Sequence, residues 1–241
     1  MIFEKRLKRK LTNLWQGLDS TTERYLGPPR ELRPLAPRKS ANPADLPLYR
    51  QPVAADWSLR LLKEIEWHRF EHLVAAYERE LGCDAEVTDF GPDGGIDIRV
   101  FEKEGRIPKR IIQCKAFNNQ FVDVKLVREL MGVMAHEKAS QGAFYTTSEF
   151  TPPALELGRS HLDIDLVDGR TFLYRISRLP PEAQARLLAI ATEGDYTTPT
   201  CASCGVKMIL KTASKGRREG SSFWGCRSYP RCQQIINISK A

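Results

Sequence analysis

Four cysteines near the end of the chain restrict its architecture more than any other feature of the sequence. They fall as C-A-S-C-G at Cys201–Gly205 and G-C-R-S-Y-P-R-C at Gly225–Cys232. Two thiolate pairs separated by the β-rich stretches VKMILKT and SSFWG suit tetrahedral Zn2+, with Cys201, Cys204, Cys226 and Cys232 as ligands. A segment of about forty residues cannot build an adequate core unaided, so the binding energy of the metal would serve as folding energy. Two disulfides are the competing reading. The opening MIFEKRLKRKLTNLW has a basic cluster but no apolar h-region or cleavage site, so no secretory signal is expected. A reducing, cytoplasmic setting follows, where metal ligation is preferred over disulfides.

The net charge of +7 is unevenly placed. Residues 1–40 hold ten Lys and Arg against four Asp and Glu, and residues 201–241 hold eight against one. Residues 41–200 therefore carry a net −6. A mildly acidic body with basic ends suits a polyanionic partner held by those ends, although solvated surface would give the same count. No apolar run approaches the roughly 18 residues of a membrane span.

The pattern of apolar residues divides the 241-residue chain into four parts. Residues 1–55 read as a basic amphipathic helix, with Phe3, Leu7, Leu11, Leu14 and Leu18 on one face, followed by a Pro-rich linker. That helix could lie on a membrane surface, dock on a partner or pack on the protein's own core. Residues 56–178 read as an α/β domain, 179–198 as a helix and linker, and 199–241 as the cysteine module. Within the second part, one helix is predicted from Trp57 to a stop at Gly82, its stripe formed by Phe70, Leu73, Val74, Tyr77 and Leu81. Strands are predicted at Ala85–Phe90, Ile96–Glu102, Arg110–Ala116, Ala143–Thr147 and Asp163–Asp168, the last closed by Gly169. Asp123 and Thr151 are predicted to cap helices. Three meandering strands followed by strand–helix crossovers imply an α/β sheet of mixed direction, covered on both faces by helices.

One constellation in this domain carries chemistry. Cleaving a phosphodiester at neutral pH needs an activated water, a charge clamp on the transition state and neutralisation of the leaving oxygen. Asp97 follows the GPDGG turn, and Gln113 and Lys115 stand two apart on the next strand, so their side chains leave one face of the sheet. Adjacent strands can bring Asp97 beside that pair. Asp93, Asp123 and Glu129 read as turn, cap and surface. Cys83 and Cys114 read as small buried residues, and His68, His136 and His161 show no ligand spacing.

The ordered blocks GPDGGIDIRV, IIQCKAF, VKLVRELMGVMA, FYTTSEFTPPALELG and DIDLVDG resemble the Mrr family of restriction-endonuclease-like proteins. These form a Q-x-K variant of the PD-(D/E)xK nuclease superfamily, and the similarity runs from about Trp57 to Leu173. The resemblance implies a restriction-endonuclease-like mixed sheet with flanking helices and a Mg2+- or Mn2+-dependent DNA endonuclease of restriction or repair. It implies that Asp97 binds the metal and the backbone carbonyl of Cys114 completes its shell. Gln113 then takes the place of a second acid, and Lys115 handles the water. Glu71, in the W-x-x-F-E-x-L block Trp67–Leu73, matches the family's helix acid. With Gln113 neutral, weaker metal affinity than at a two-acid site is expected. Cutting both strands usually asks for two active sites, which a homodimer would supply.

The cysteine module resembles the C-terminal zinc ribbons of bacterial type I topoisomerases, which engage single-stranded DNA. Independently of that likeness, Trp224 is expected to stack on bases while Phe223 and Tyr229 fill the small core. Lys207, Lys211, Lys215, Arg217, Arg218, Arg227 and Arg231 are expected to meet phosphates. The alternatives to a DNA-cutting enzyme are a catalytically inactive DNA-binding adaptor and a membrane-peripheral interaction protein.

Overall fold

The computed structural model describes residues 56–88, 95–102, 105, 107–116 and 120–238. The N-terminal helix and Pro-rich linker read from residues 1–55 lie outside the described residues. Among the described residues, no helix is long and apolar enough to cross a membrane.

The described residues all belong to one compact unit. Its first elements are helices α1 (Leu59–Glu64) and α2 (Trp67–Glu80) and strands β1 (Asp84–Val87), β2 (Ile98–Phe101) and β3 (Arg110–Lys115). Helix α3 (Val124–Glu137), strand β4 (Gln141–Thr146), helix α4 (Pro152–Ser160) and strand β5 (Ile164–Val167) follow. Helices α5 (Gly169–Ser177) and α6 (Pro181–Thr192) complete the core, and strands β6 (Ile209–Thr212), β7 (Ser222–Gly225) and β8 (Ile235–Asn237) form the cysteine module.

The main sheet runs β1-β2-β3-β4-β5, antiparallel from β1 to β3 and parallel from β3 to β5. This is the predicted mixed α/β sheet. Alternation along the strands sends neighbouring residues to opposite faces. Ile112, Cys114 and Tyr145 join the cluster with α1, α2, α5 and α6, whereas Ile111 and Phe144 join the cluster with α3 and α4. Both faces of β3 and β4 are therefore covered, which explains why these strands read as nearly continuous apolar runs.

Several predicted boundaries move, each for a physical reason. The helix read as continuous from Trp57 is two helices, because Ile65 and Glu66 are extended between them (ψ 126° and 156°). Ser58 caps the first, and the Glu66 carboxylate caps the second by accepting from His68 N and Arg69 N, both at 3.1 Å. Phe70, Leu73, Val74 and Tyr77 are buried as predicted, but Leu81 lies past the last helical residue and is 50% exposed. Asp123 caps α3, as predicted, through Lys125 N and Leu126 N. Thr151 holds the capping position of α4 without a side-chain hydrogen bond. Gly169 does not close a strand but opens α5, where Asp168 accepts from Thr171 N at 2.7 Å. An Asp-Gly pair reads equally as a turn or a helix start, and burial of Phe172 and Ile176 one turn apart decides for the helix.

A buried ionic contact joins α2 to the sheet. The Glu78 side chain, 1% exposed, accepts from the Tyr145 hydroxyl at 3.0 Å and from Arg110 at 3.2 Å, and Arg110 also donates to Gln141. Burial and Glu78 together push the Tyr145 phenol well above its ordinary pKa, so it stays a donor. Replacing Tyr145 by Phe should lower stability by about 1.5–3 kcal/mol, the range for hydrogen bonds to charged groups. Arg110→Met, which leaves a buried carboxylate without its cation, should cost about 3–5 kcal/mol. Denaturant midpoints at neutral pH measure both, and an unchanged midpoint for Arg110→Met would remove that ion pair from the account of how α2 is held.

Candidate nuclease site and cysteine cluster

Of the residues predicted to be catalytic, Gln113 and Lys115 lie on β3 and Asp97 on the neighbouring ladder. Asp97 stands one residue before β2 and continues its ladder: its N–H donates to Ile112 O at 3.0 Å, and its carbonyl accepts from Thr88 N at 3.0 Å. Because β2 and β3 pair with Ile98 opposite Ile112, Asp97 falls opposite Gln113. Its Oδ2 accepts from the Cys114 backbone N–H at 2.6 Å, which fixes the carboxylate against β3. This contact uses the N–H of Cys114, whereas the expected metal ligand is its carbonyl.

Gln113 is buried between β2 and β4, and Lys115 ends the strand half-buried. Gly95 has φ +86°, and a Cβ there would come within 3.2 Å of Gln113 Nε2. A side chain at this position would therefore be strained by the backbone and crowded by the amide at once. Beyond Lys115, its carbonyl accepts from Thr146 Oγ1 at 2.9 Å and Thr147 N at 3.2 Å. A groove of about 300 Å3 opens there, lined by Leu59, Lys63, Phe121, Thr147, Ser148, Glu149 and Arg170.

Glu71 reaches the same place from α2. It is 7% exposed and within 3.2 Å of His68 Nδ1. Burial pushes its carboxyl above the ordinary range, against partial opposition from His68 and Lys115. Burial also drives the Cys114 thiol well above its usual value, with Asp97 and Glu71 adding to the rise and Lys115 opposing it. The charges of Asp97, Glu71 and Lys115 thus all bear on one residue of the central strand. Cys114 is a neutral, buried thiol, in keeping with its reading from the sequence.

Two neighbours of Glu71 escape a reading of spacing alone. His68, which was assigned no role, contacts Glu71, and its Nε2 lies 3.2 Å from His72 Nε2. The i,i+3 offset from His68 to Glu71 was the available signal. Glu66 was invisible because Glu is not among the favoured N-cap residues and the apolar period runs through it.

In the cysteine module, the Sγ atoms of Cys201, Cys204, Cys226 and Cys232 all lie within 4.8 Å of one another. Two of the separations are 3.6 Å (Cys201 to Cys232) and 3.4 Å (Cys204 to Cys226). Both are far longer than the roughly 2.05 Å of a disulfide. A tetrahedron with metal–sulfur bonds of about 2.3 Å has edges of about 3.8 Å, so the donor set fits Zn2+ in size and chemistry. The Ser228 N–H donates to Cys226 Sγ at 3.4 Å, an outer contact typical of a thiolate ligand.

The aromatic residues divide differently from expectation. Trp224 packs with Met208, Cys201, Cys226 and Ile236 in the core of the module. Tyr229 is 65% exposed, with Lys211 Nζ 5.4 Å from its ring centroid, and both line a groove of about 270 Å3 with Phe223. On β7, Phe223 and Trp224 must leave opposite faces, and the small core has taken the larger ring. Arg217, Arg218, Arg227 and Arg231 are exposed, and Arg218 donates to Asn237 at 2.5 Å. Lys207, expected to meet phosphate, instead turns inward to Glu66 at 3.2 Å.

The same part of the chain is similar to known proteins. Residues 62–176 match the family model Mrr_cat, described as restriction endonuclease. The chain is 29% identical over 143 residues to the type IV methyl-directed restriction enzyme EcoKMrr of Escherichia coli (strain K12). That match covers 57% of this chain and 47% of the relative, so the chain spans less than half the length of this relative. Among solved structures, the MspJI restriction endonuclease in complex with a 27-mer oligonucleotide overlaps at a TM-score of 0.39 and 21% identity, over 55% of this chain and 33% of that one. The DNA modification-dependent restriction endonuclease AspBHI overlaps at 0.39 and 21%, over 60% and 46%. The segment 62–176, just under half of the chain, is thus similar to Mrr-like restriction endonucleases.

Proposed function

We propose that the chain is a Mg2+-dependent DNA endonuclease of the restriction type, with a zinc-bound cysteine ribbon that contacts DNA. The observation that carries this reading is Asp97 held by the Cys114 N–H opposite the buried Gln113, with Lys115 two residues on along β3, within a segment matching the restriction endonuclease family model. The oxygen donors of Asp97, Glu71 and Gln113 suit a hard cation such as Mg2+ or Mn2+, and the four thiolates suit Zn2+. Asp97 and Glu71 would hold the first ion, with the Cys114 carbonyl as a further donor. Bound there, Mg2+ would lower the pKa of a water and neutralise charge building on the phosphate.

The chain's own residues have separable tasks. Asp97 is anchored by the Cys114 N–H, so its carboxylate is held before any ligand arrives. Gln113 brings an amide oxygen without charge, which leaves the negative charge of the site on Asp97 and Glu71. Lys115, at the open end of β3, would orient the attacking water and offset charge on the phosphate. Lys63 and Arg170 stand in the adjoining groove as cations for flanking phosphates. On the ribbon, Lys211 with Tyr229, together with Arg217, Arg218, Arg227 and Arg231, supplies cations and an exposed ring for single-stranded or distorted DNA. The methyl-directed class of the Escherichia coli relative makes methylated duplex the first substrate to try.

Purified protein with Mg2+ or Mn2+ should nick or cut DNA in a panel that includes methylated duplexes, branched DNA and single strands. Asp97→Ala and Lys115→Ala should each reduce cleavage by at least about a thousandfold while the far-ultraviolet circular dichroism stays that of the parent. Full activity in either variant would sink the assignment of the site.

Elemental analysis should find about one zinc per chain, lost on Cys226→Ser. A metal-free protein with a folded ribbon would end the zinc reading. Tyr229→Ala should weaken single-strand binding by about 1–3 kcal/mol and Lys211→Ala should reduce its salt dependence. Wild-type affinity in both would take the Lys211–Tyr229 groove out of the DNA-binding surface.

A further inference from the structure

The strongest unexplained feature is a buried carboxylate between the nuclease core and the cysteine ribbon. The Glu66 side chain is 3% exposed. Its Oε2 accepts from His68 N and from Thr200 N, each at 3.1 Å. Its Oε1 accepts from Arg69 N and Thr200 Oγ1, each at 3.1 Å, and from Lys207 Nζ at 3.2 Å. Beside it the Trp67 indole N–H donates to Thr200 O at 2.8 Å, and the Glu66 N–H donates to Tyr196 O at 2.8 Å.

Two of the donors come from the first turn of α2, and three come from the ribbon. The ribbon donors belong to its first cysteine loop. Thr200 directly precedes Cys201, Lys207 lies three residues beyond Cys204, and Thr200 and Lys207 are joined by a β-bridge. On the other side, His68, whose N–H is held by Glu66, places its ring against Glu71.

The residue type is informative. Capping a helix asks only for a short acceptor, and Asp, Asn, Ser or Thr does it well. Glu caps less readily but is one methylene longer, and here that length lets one carboxylate reach the helix amides and the ribbon together. A carboxylate so deeply buried is tolerated only while its donors stay in place. Movement of the cysteine loop would remove three of the five donors and force the start of α2 to rearrange.

We propose that Glu66 is a positioning residue for the nuclease site, and that the metal-held first cysteine loop is a structural part of that site. The cysteines fix Thr200 and Lys207, these fix Glu66, and Glu66 fixes the turn of α2 that carries His68 and Glu71. The proposal rests on the reading of Asp97, Glu71 and Lys115 as the cleavage site. It gives the ribbon a duty separate from holding DNA.

The test uses the full-length, zinc-loaded chain with three variants. Glu66→Asp keeps a cap on α2 but is too short to reach the ribbon. Thr200→Val combined with Lys207→Met removes ribbon donors and leaves Glu66 intact. Cys201→Ser removes a metal ligand. Hydrogen exchange followed by mass spectrometry reads the peptide covering residues 66–72 without reference to activity. Exchange there should rise about tenfold or more in all three variants, while β3 and β4 keep their protection. With Mg2+ present, Glu66→Asp and the double variant should lose about ten- to a hundredfold in kcat with KM for DNA within about twofold, as expected of misplaced catalytic groups.

Parent-like exchange and kcat in Glu66→Asp and in the double variant would overturn the proposal, as would a Cys201→Ser protein altered only in KM. If the parent cuts no DNA at all, the nuclease reading fails on its own, and the exchange measurement still decides whether the cysteine loop holds the start of α2.

Discussion

Burying a carboxylate costs several kcal/mol unless donors close around it, and α2 with its cap buries three. Glu66, Glu71 and Glu78 are 7%, 7% and 0% exposed, and each faces a different part of the molecule. Glu78 meets Arg110 and Tyr145 and ties the helix to the sheet. Glu66 meets Thr200 and Lys207 and ties it to the ribbon. Glu71, between them, has His68 as its contact on the helix and Lys115 as a nearby charge. The two outer carboxylates are neutralised or fully bonded by protein groups. Burial raises the carboxyl of the middle one above its ordinary range, and the His68 contact opposes the rise. The outer two, added to the apolar packing of α2 on the sheet, fix how this helix meets β3, β4 and the cysteine module.

The order of the strands was legible because alternation and turn chemistry are local. Three short alternating segments in close succession pointed to the antiparallel pairing of β1, β2 and β3, and the apolar runs of β3 and β4 declared strands buried on both faces. Asp97 and Lys115 were legible for the same reason, since their faces follow from strand geometry. Features that depend on contacts distant in sequence were not. The break at Ile65–Glu66 is set by partners more than a hundred positions away, and Lys207 reads as one more basic residue until the Glu66 pocket appears opposite it. The packing of Trp224 is not local either, because it depends on which face of β7 the small module can fill.

A site with so little fixed negative charge needs explanation. Residues 41–200 carry a net −6, so phosphate approaches this body against a mean repulsion. If the proposed site holds a cation, the neutral Gln113 would lessen that repulsion beside Asp97, at the cost of a weaker hold on the ion. Fixing Asp97 through the Cys114 N–H would compensate in part, because a preorganised ligand loses less entropy on binding an ion. Lys115 would add a cation that needs no metal. The same economy accounts for a buried thiol beside the acids: Cys114 packs with the α2 side of the core and adds no competing charge.

The ribbon's basic residues are sorted by which edge they occupy. Lys207 points at Glu66 and is consumed by the core, whereas Lys211 points away and lies over Tyr229. A ribbon tethered by a loose linker would raise the local concentration of DNA near the nuclease without defining where along the strand it is cut. A ribbon bonded to the helix that carries Glu71 is held at a fixed offset from Lys115. Any DNA engaged by Lys211 and Tyr229 would then meet the site at a set distance along its length. The cleavage position would be a property of the Glu66 contact as much as of the nuclease residues themselves.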